Sequence, residues 1–172
     1  MTKSAVITAA LAVSAVLLLS ALGAALFVES GLYNIGADDH HTKPVLALIT
    51  QLRDRSIESR LGSIKPQLAA TPEMVKAGAQ HYASLCVGCH LAPTQSKSDL
   101  RTGLYPHPPN LAQEDIQESR RAFWVIKHGI KMSAMPAWGK TLDDAAIWDV
   151  VAFVRKMPGM SKEDYQQLLQ PP

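Results

Sequence analysis

Five consecutive residues, Cys86-Val87-Gly88-Cys89-His90, limit what this chain can fold into more than any other stretch. Cysteines three apart share one face of a helical turn, and the imidazole that follows projects beside them. A Cys-x-x-Cys-His run is the attachment signal for c-type haem, in which the two thiols add across the porphyrin vinyls and the histidine ligates the iron. A structural zinc site would need about four ligands and would have to recruit distant histidines such as His40, His41 or His107. A thioredoxin-like pair follows a strand in a βαβ setting, which does not surround Cys86, and a plain disulfide gives His90 no role. Cys86 and Cys89 are the only cysteines in the chain, so the reading is one covalently bound haem c.

The second constraint lies at the amino end. Met1-Thr2-Lys3 precedes a charge-free run from Ala5 to Val28. As a helix of about 1.5 Å rise per residue, that run crosses a hydrocarbon layer of about 30 Å. A cleaved signal peptide has a shorter apolar core ending at a small-x-small site, and Ala21, Gly23 and Ala25 are small. The run nevertheless continues through Leu26, Phe27 and Val28, which favours an uncleaved signal anchor over residues 1–29. Covalent haem attachment normally happens outside the bacterial cytoplasmic membrane, so the expected topology is single-pass with the haem domain in the periplasm. A net charge of +2, with no long basic run, argues against a nucleic-acid partner.

Residues 30–70 read as a juxtamembrane segment with one amphipathic helix and a linker. Gly31, Asn34, Gly36 and Asp38-Asp39 break any helix leaving the membrane, and Pro44 suits a first helical turn. Apolar positions then recur at helical spacing from Val45 through Leu52 to Ile57, Leu61 and Ile64, opposite a mixed-sign face of Arg53, Asp54, Arg55, Glu58 and Arg60. Such a helix can lie on the membrane, on the haem domain or on a partner. The adjacent His40 and His41 read as surface residues rather than a metal site.

The haem domain is expected over 71–160. Thr71-Pro72-Glu73 has the chemistry of a helix start, and Val75, Gly78, Tyr82 and Leu85 form a stripe running into the haem motif. Prolines at 93, 106, 108 and 109 mark loops. Ser119 is a candidate cap for a helix over 120–128 with Phe123 and Ile126 inward, and Gly129 ends it. Thr141 to Asp144 opens the last main helix, whose stripe is Ile147, Trp148, Val151 and Val154. Ser161 caps a short helix in a C-terminal tail, 161–172, with Pro171-Pro172 frayed. No strand signal competes, so the fold class is all-α.

Residues 71 to 160 resemble a class I cytochrome c. The marks are the haem motif, Pro108-Pro109-Asn110-Leu111, His128-Gly129-Ile130 followed by Met135-Pro136-Ala137-Trp138, and the aromatic Trp148 in the closing helix. The resemblance implies a small fold in which the first and last helices cross, here through Gly78 and Tyr82 against Trp148 and Val151. It implies thioethers on Cys86 and Cys89, His90 and Met135 as the metal ligands, and a Pro109 carbonyl that fixes His90 through Nδ1. The loop around Met135 is similar to that of small cytochromes found as subunits or donors of membrane respiratory oxidases.

With both axial positions filled, no site is open for a small-molecule substrate, and the expected role is single-electron carriage rather than catalysis. The alternative is a haem enzyme or gas-binding sensor with a displaceable distal ligand. Met132 competes with Met135 for the distal role, but Pro136 stiffens the chain at Met135. Partners are expected to be redox proteins, on a respiratory oxidase, reductase or dehydrogenase, with an acidic docking surface. Arg120, Arg121, Lys127, Lys131 and Lys140 fall in one segment with no Asp or Glu, flanked by Glu118, Asp143 and Asp144.

Overall fold

A computed structural model describes residues 2–67, 69–131 and 133–170. Met132, weighed above as a distal ligand, lies outside the described residues, as do Met1, Leu68 and the Pro171-Pro172 end. The chain divides into two units, 1–39 and 40–172. The first is dominated by α1 (Lys3–Glu29), an apolar helix with an 18-residue stretch of mean hydropathy 2.5 and none of its residues buried against protein. By length and composition it is a candidate membrane span.

The second unit is all-helical among its described residues. It runs α2 (Lys43–Glu58), a 3₁₀ turn (Leu61–Ser63), α3 (Pro72–Leu85), α4 (Val87–His90), α5 (Asp99–Thr102), α6 (Ser119–His128), a 3₁₀ turn (Trp138–Lys140), α7 (Asp144–Lys156) and α8 (Lys162–Leu169). Local chemistry sets most of these ends. The Thr71 hydroxyl accepts the Met74 N–H at 3.3 Å with Pro72 in the first turn, and the Ser161 hydroxyl accepts the Asp164 N–H at 3.0 Å. The caps of α6 and α7 are the Glu118 and Asp143 carboxylates, which accept the N–H groups of Arg120 and Ala146. Helix α6 thus starts one residue earlier than a Ser119 cap implies. Helix α2 stops at Glu58, although the apolar spacing continues to Ile64. Ser59 Oγ and Arg60 Nη1 both donate to the Ser56 carbonyl, which gives an end-of-helix acceptor its partners.

The core forms where α3 and α7 cross. Ala79, Tyr82, Val150, Phe153, Val154 and Met157 are buried in one cluster, and the Tyr82 and Phe153 rings meet at 5.2 Å. Gly78 marks the point of closest approach: a Cβ there would stand 1.9 Å from the Asp149 carbonyl oxygen and 2.9 Å from Phe153 Cβ. The crossing therefore runs through Asp149 and Phe153, not through Trp148 and Val151. Those two face α6 instead, where Trp148 stacks on Phe123 at 4.4 Å and Val151 joins Phe123 and Ile147 in a second cluster. Helix α7 buries residues 150–154 without a break because it is covered from both sides.

Helix α8, capped by Ser161 as expected, packs on the main core. Tyr165 is buried in the main cluster, 5.7 Å from the Phe153 ring. Met157 is fully buried there, and Met160 packs against the same cluster. Helix α2 docks on α6 through an ion pair from Arg121 to Asp54 at 2.6 Å, and Ile57 near its end is buried.

Candidate haem site

Helix α3 delivers the haem motif directly. Cys86 caps α3 and opens the single turn α4, where the Cys89 and His90 N–H groups both bond back to the Cys86 carbonyl at 3.1 and 2.9 Å. This turn puts the two sulfurs and the imidazole on one short, rigid piece of backbone. Cys86 packs against the main core cluster, and burial, helped by the nearby Cys89, pushes its thiol up to about 12.

The turn ends in strained backbone. Leu91, fully buried, has φ 66° and ψ 156°, a region that costs a non-glycine residue about 1–3 kcal/mol. The Tyr82 hydroxyl, also buried, donates to the Leu91 carbonyl at 2.5 Å and holds that conformation from the core. This contact was not legible in the sequence, where Tyr82 is simply an apolar position of a stripe.

A proline-rich loop is stapled over the motif. Ser98 Oγ donates to the Gly88 carbonyl at 2.5 Å, Leu111 N–H to the His90 carbonyl at 3.2 Å, and Arg101 Nε to the Pro108 carbonyl at 3.1 Å. His90 Nδ1 lies 3.0 Å from the Pro109 carbonyl oxygen. A carbonyl only accepts, so Nδ1 carries the proton and Nε2 is left with the lone pair that binds a metal. Burial depresses the His90 pKa, the Pro109 bond opposes that shift, and the Arg101 charge adds to it. The ring is therefore held neutral, as a metal ligand must be.

Met135 sits in a second tight loop. Gly129 ends α6 with φ +66°, and a Cβ on it would come within 2.6 Å of the Met135 carbonyl oxygen. Ile130 N–H donates to that carbonyl at 3.1 Å, and Met135 N–H donates to Ser133 Oγ at 3.1 Å. The methionine is half-buried at the neck of a closed turn, with Pro136 restricting its backbone to extended geometry.

A cleft of about 570 Å³ lies elsewhere. It is lined by Arg60, Lys65, Phe123, Trp124 and Trp148 among others, and it includes neither the haem motif nor Met135. The donor chemistry of the motif, rather than any cavity, marks the site. His40 and His41 join no cluster of three or more metal-ligating side chains among the described residues; His40 stacks on Tyr105 at 4.6 Å and His41 meets the same ring edge-on.

A helical domain whose first and last long helices cross beside a Cys-x-x-Cys-His turn is a class I cytochrome c domain, and this one follows a candidate membrane-spanning helix. Residues 73–154, just under half of the chain, match the family model described as cytochrome C oxidase, cbb3-type, subunit III. The domain is of the haem c, electron-transfer kind.

Proposed function

We propose that this protein is a membrane-anchored carrier of single electrons. Cys86 and Cys89 would hold one haem c through thioethers, and His90 and Met135 would ligate its iron. The observation that carries the reading is the His90 Nδ1–H bond to the Pro109 carbonyl, which leaves Nε2 as the one ring nitrogen free for iron, one turn from two thiols. The bound haem supplies a one-electron iron couple. The chain's residues would do the rest: the Cys86 and Cys89 thiols would tether the haem, the Pro109 carbonyl orients the His90 ring toward the metal, and Met135 would supply a sulfur ligand that keeps substrates from the iron. Covalent attachment outside the cytoplasmic membrane puts the domain in the periplasm. The family description supports a respiratory oxidase as the partner assembly.

The docking face we infer is smaller than the run of cations implies. Arg120 pairs with Glu118 at 2.8 Å, Arg121 with Asp54 at 2.6 Å, and Lys127 with Asp144 at 2.6 Å. Only Lys131 and Lys140 of the five make no ion pair among the described residues, and both are exposed. Exposed charges such as these speed and orient encounter with an acidic surface, and salt screens them over about 10 Å at 0.1 M.

Stopped-flow oxidation of the reduced protein by its native membranes checks both points. The rate should be second order, fall with ionic strength, and fall again, roughly tenfold or more at low salt, in Lys131→Glu/Lys140→Glu, with the optical spectrum unchanged. Rates indifferent to salt and to both substitutions would remove the basic docking face; turnover of a bound small molecule instead of simple oxidation would remove the carrier reading.

A further inference from the structure

Helix α2 docks one mixed face on the haem domain and leaves an apolar face uncovered. Leu46, Thr50, Asp54 and Ile57 recur at steps of four, four and three; all are partly or fully buried, and through the Asp54–Arg121 pair this face docks on the haem domain. Val45, Leu48, Ile49 and Leu52 form another stripe, turned well away from the first. On it Leu48 is 67% exposed, Leu52 68% and Ile49 39%.

We infer that this second face lies in the headgroup region of the lipid bilayer, so that α2 fastens the haem domain to the membrane surface at a point separate from the span. Three observations favour lipid over protein as the occupant. First, the stripe is about two turns long with four apolar side chains, far short of the 20–30 residues a side found in a specific protein interface. Second, exposed Arg55 stands beside its C-terminal end, the placement by which an arginine reaches lipid phosphate while its stem covers apolar surface; Arg53, on the other side, is held by the Asp54 carboxylate at 2.9 Å. Third, residues 30–42 are all that joins the end of α1 to α2, and thirteen residues reach about 45 Å at most. The connector exposes two apolar side chains, Leu32 at 78% and Ile35 at 89%, ahead of its polar Asp38-Asp39 stretch.

The inference rests on α1 being retained as a span, and the test separates the two. Nitroxide labels are placed on the full-length haem protein at Leu48→Cys, Leu52→Cys and, as the control on the exposed polar side, Gln51→Cys. The labelled proteins are reconstituted into vesicles of zwitterionic and anionic phospholipid. Co-flotation with the vesicles checks the span independently. At positions 48 and 52 the ratio of oxygen to nickel-chelate accessibility should exceed that at position 51 several-fold, and Leu48→Glu should return a label at 52 to the level of the control. Three equal ratios in protein that floats with vesicles would overturn the inference. So would labels at 48 and 52 that are water-accessible in vesicles but shielded from both reagents in native membranes, which would assign the face to a protein partner.

Discussion

Replacing Met135 with alanine should abolish the methionine-to-iron charge-transfer band of the oxidised protein, lower the midpoint potential by roughly a few tenths of a volt, and let the reduced protein bind carbon monoxide. The size follows from what axial ligands do: Met/His ligation raises the haem potential, and ligand choice spans about 0.8 V across haem proteins. The effect should be specific to Met135 because its backbone is committed from both sides. Ile130 N–H holds its carbonyl, Ser133 Oγ holds its N–H, and Pro136 fixes its extended geometry. Met132→Ala should leave all three readouts unchanged. Optical spectra, redox potentiometry and carbon monoxide titration of the two variants decide the matter, and the opposite pattern would transfer the ligand role to Met132.

Gly78→Ala should destabilise the haem domain by about 3 kcal/mol or more, a large share of the 5–15 kcal/mol that holds a domain together. Two effects oppose each other. Alanine is the better helix former by about 0.8–1 kcal/mol, which favours the variant. Against that, the new methyl would sit 1.9 Å from the Asp149 carbonyl oxygen and 2.5 Å from its carbon, both of them main chain of α7. Backbone cannot rotate aside as a side chain can, so α3 and α7 would have to separate along the crossing that buries Tyr82 and Phe153. Denaturant unfolding of the haem-loaded protein should show a lower midpoint at an unchanged slope. A change within about 0.5 kcal/mol would mean the helices can part there at little cost.

How much of this was legible beforehand depended on the range over which each feature is determined. Helix starts at Thr71-Pro72 and Ser161 and the stop at Gly129 are settled by one or two residues, and they stand where the sequence put them. The end of α2 was misplaced because the apolar spacing runs on to Ile64, while the hydrogen bonds of Ser59 and Arg60 to the Ser56 carbonyl stop the helix earlier. Phe153 was missed at the crossing for a related reason: a helix buried nearly all round has no single stripe, so periodicity could not choose between its Trp148 side and its Phe153 side. Three of the apparent docking cations are paired with carboxylates just or far outside their segment, and the Arg121–Asp54 pair joins residues 67 apart, which nothing local announces. At the haem motif the spacing alone carried the chemistry of Cys86, Cys89 and His90. The Pro109 contact followed from the resemblance, and the Tyr82 hydroxyl that clamps Leu91 from neither.

The central claim, one haem held covalently by Cys86 and Cys89, is tested most directly by the intact mass of the purified, denatured protein. Addition of two thiols across two vinyls loses no atoms, so the mass should be that of the polypeptide plus one whole haem, and the colour should stay with the protein through acid-acetone extraction. Cys86→Ala/Cys89→Ala should give the bare polypeptide mass, adjusted only for the substitutions. A wild-type protein that shows the bare polypeptide mass, or gives up its colour to the solvent, would contradict the account.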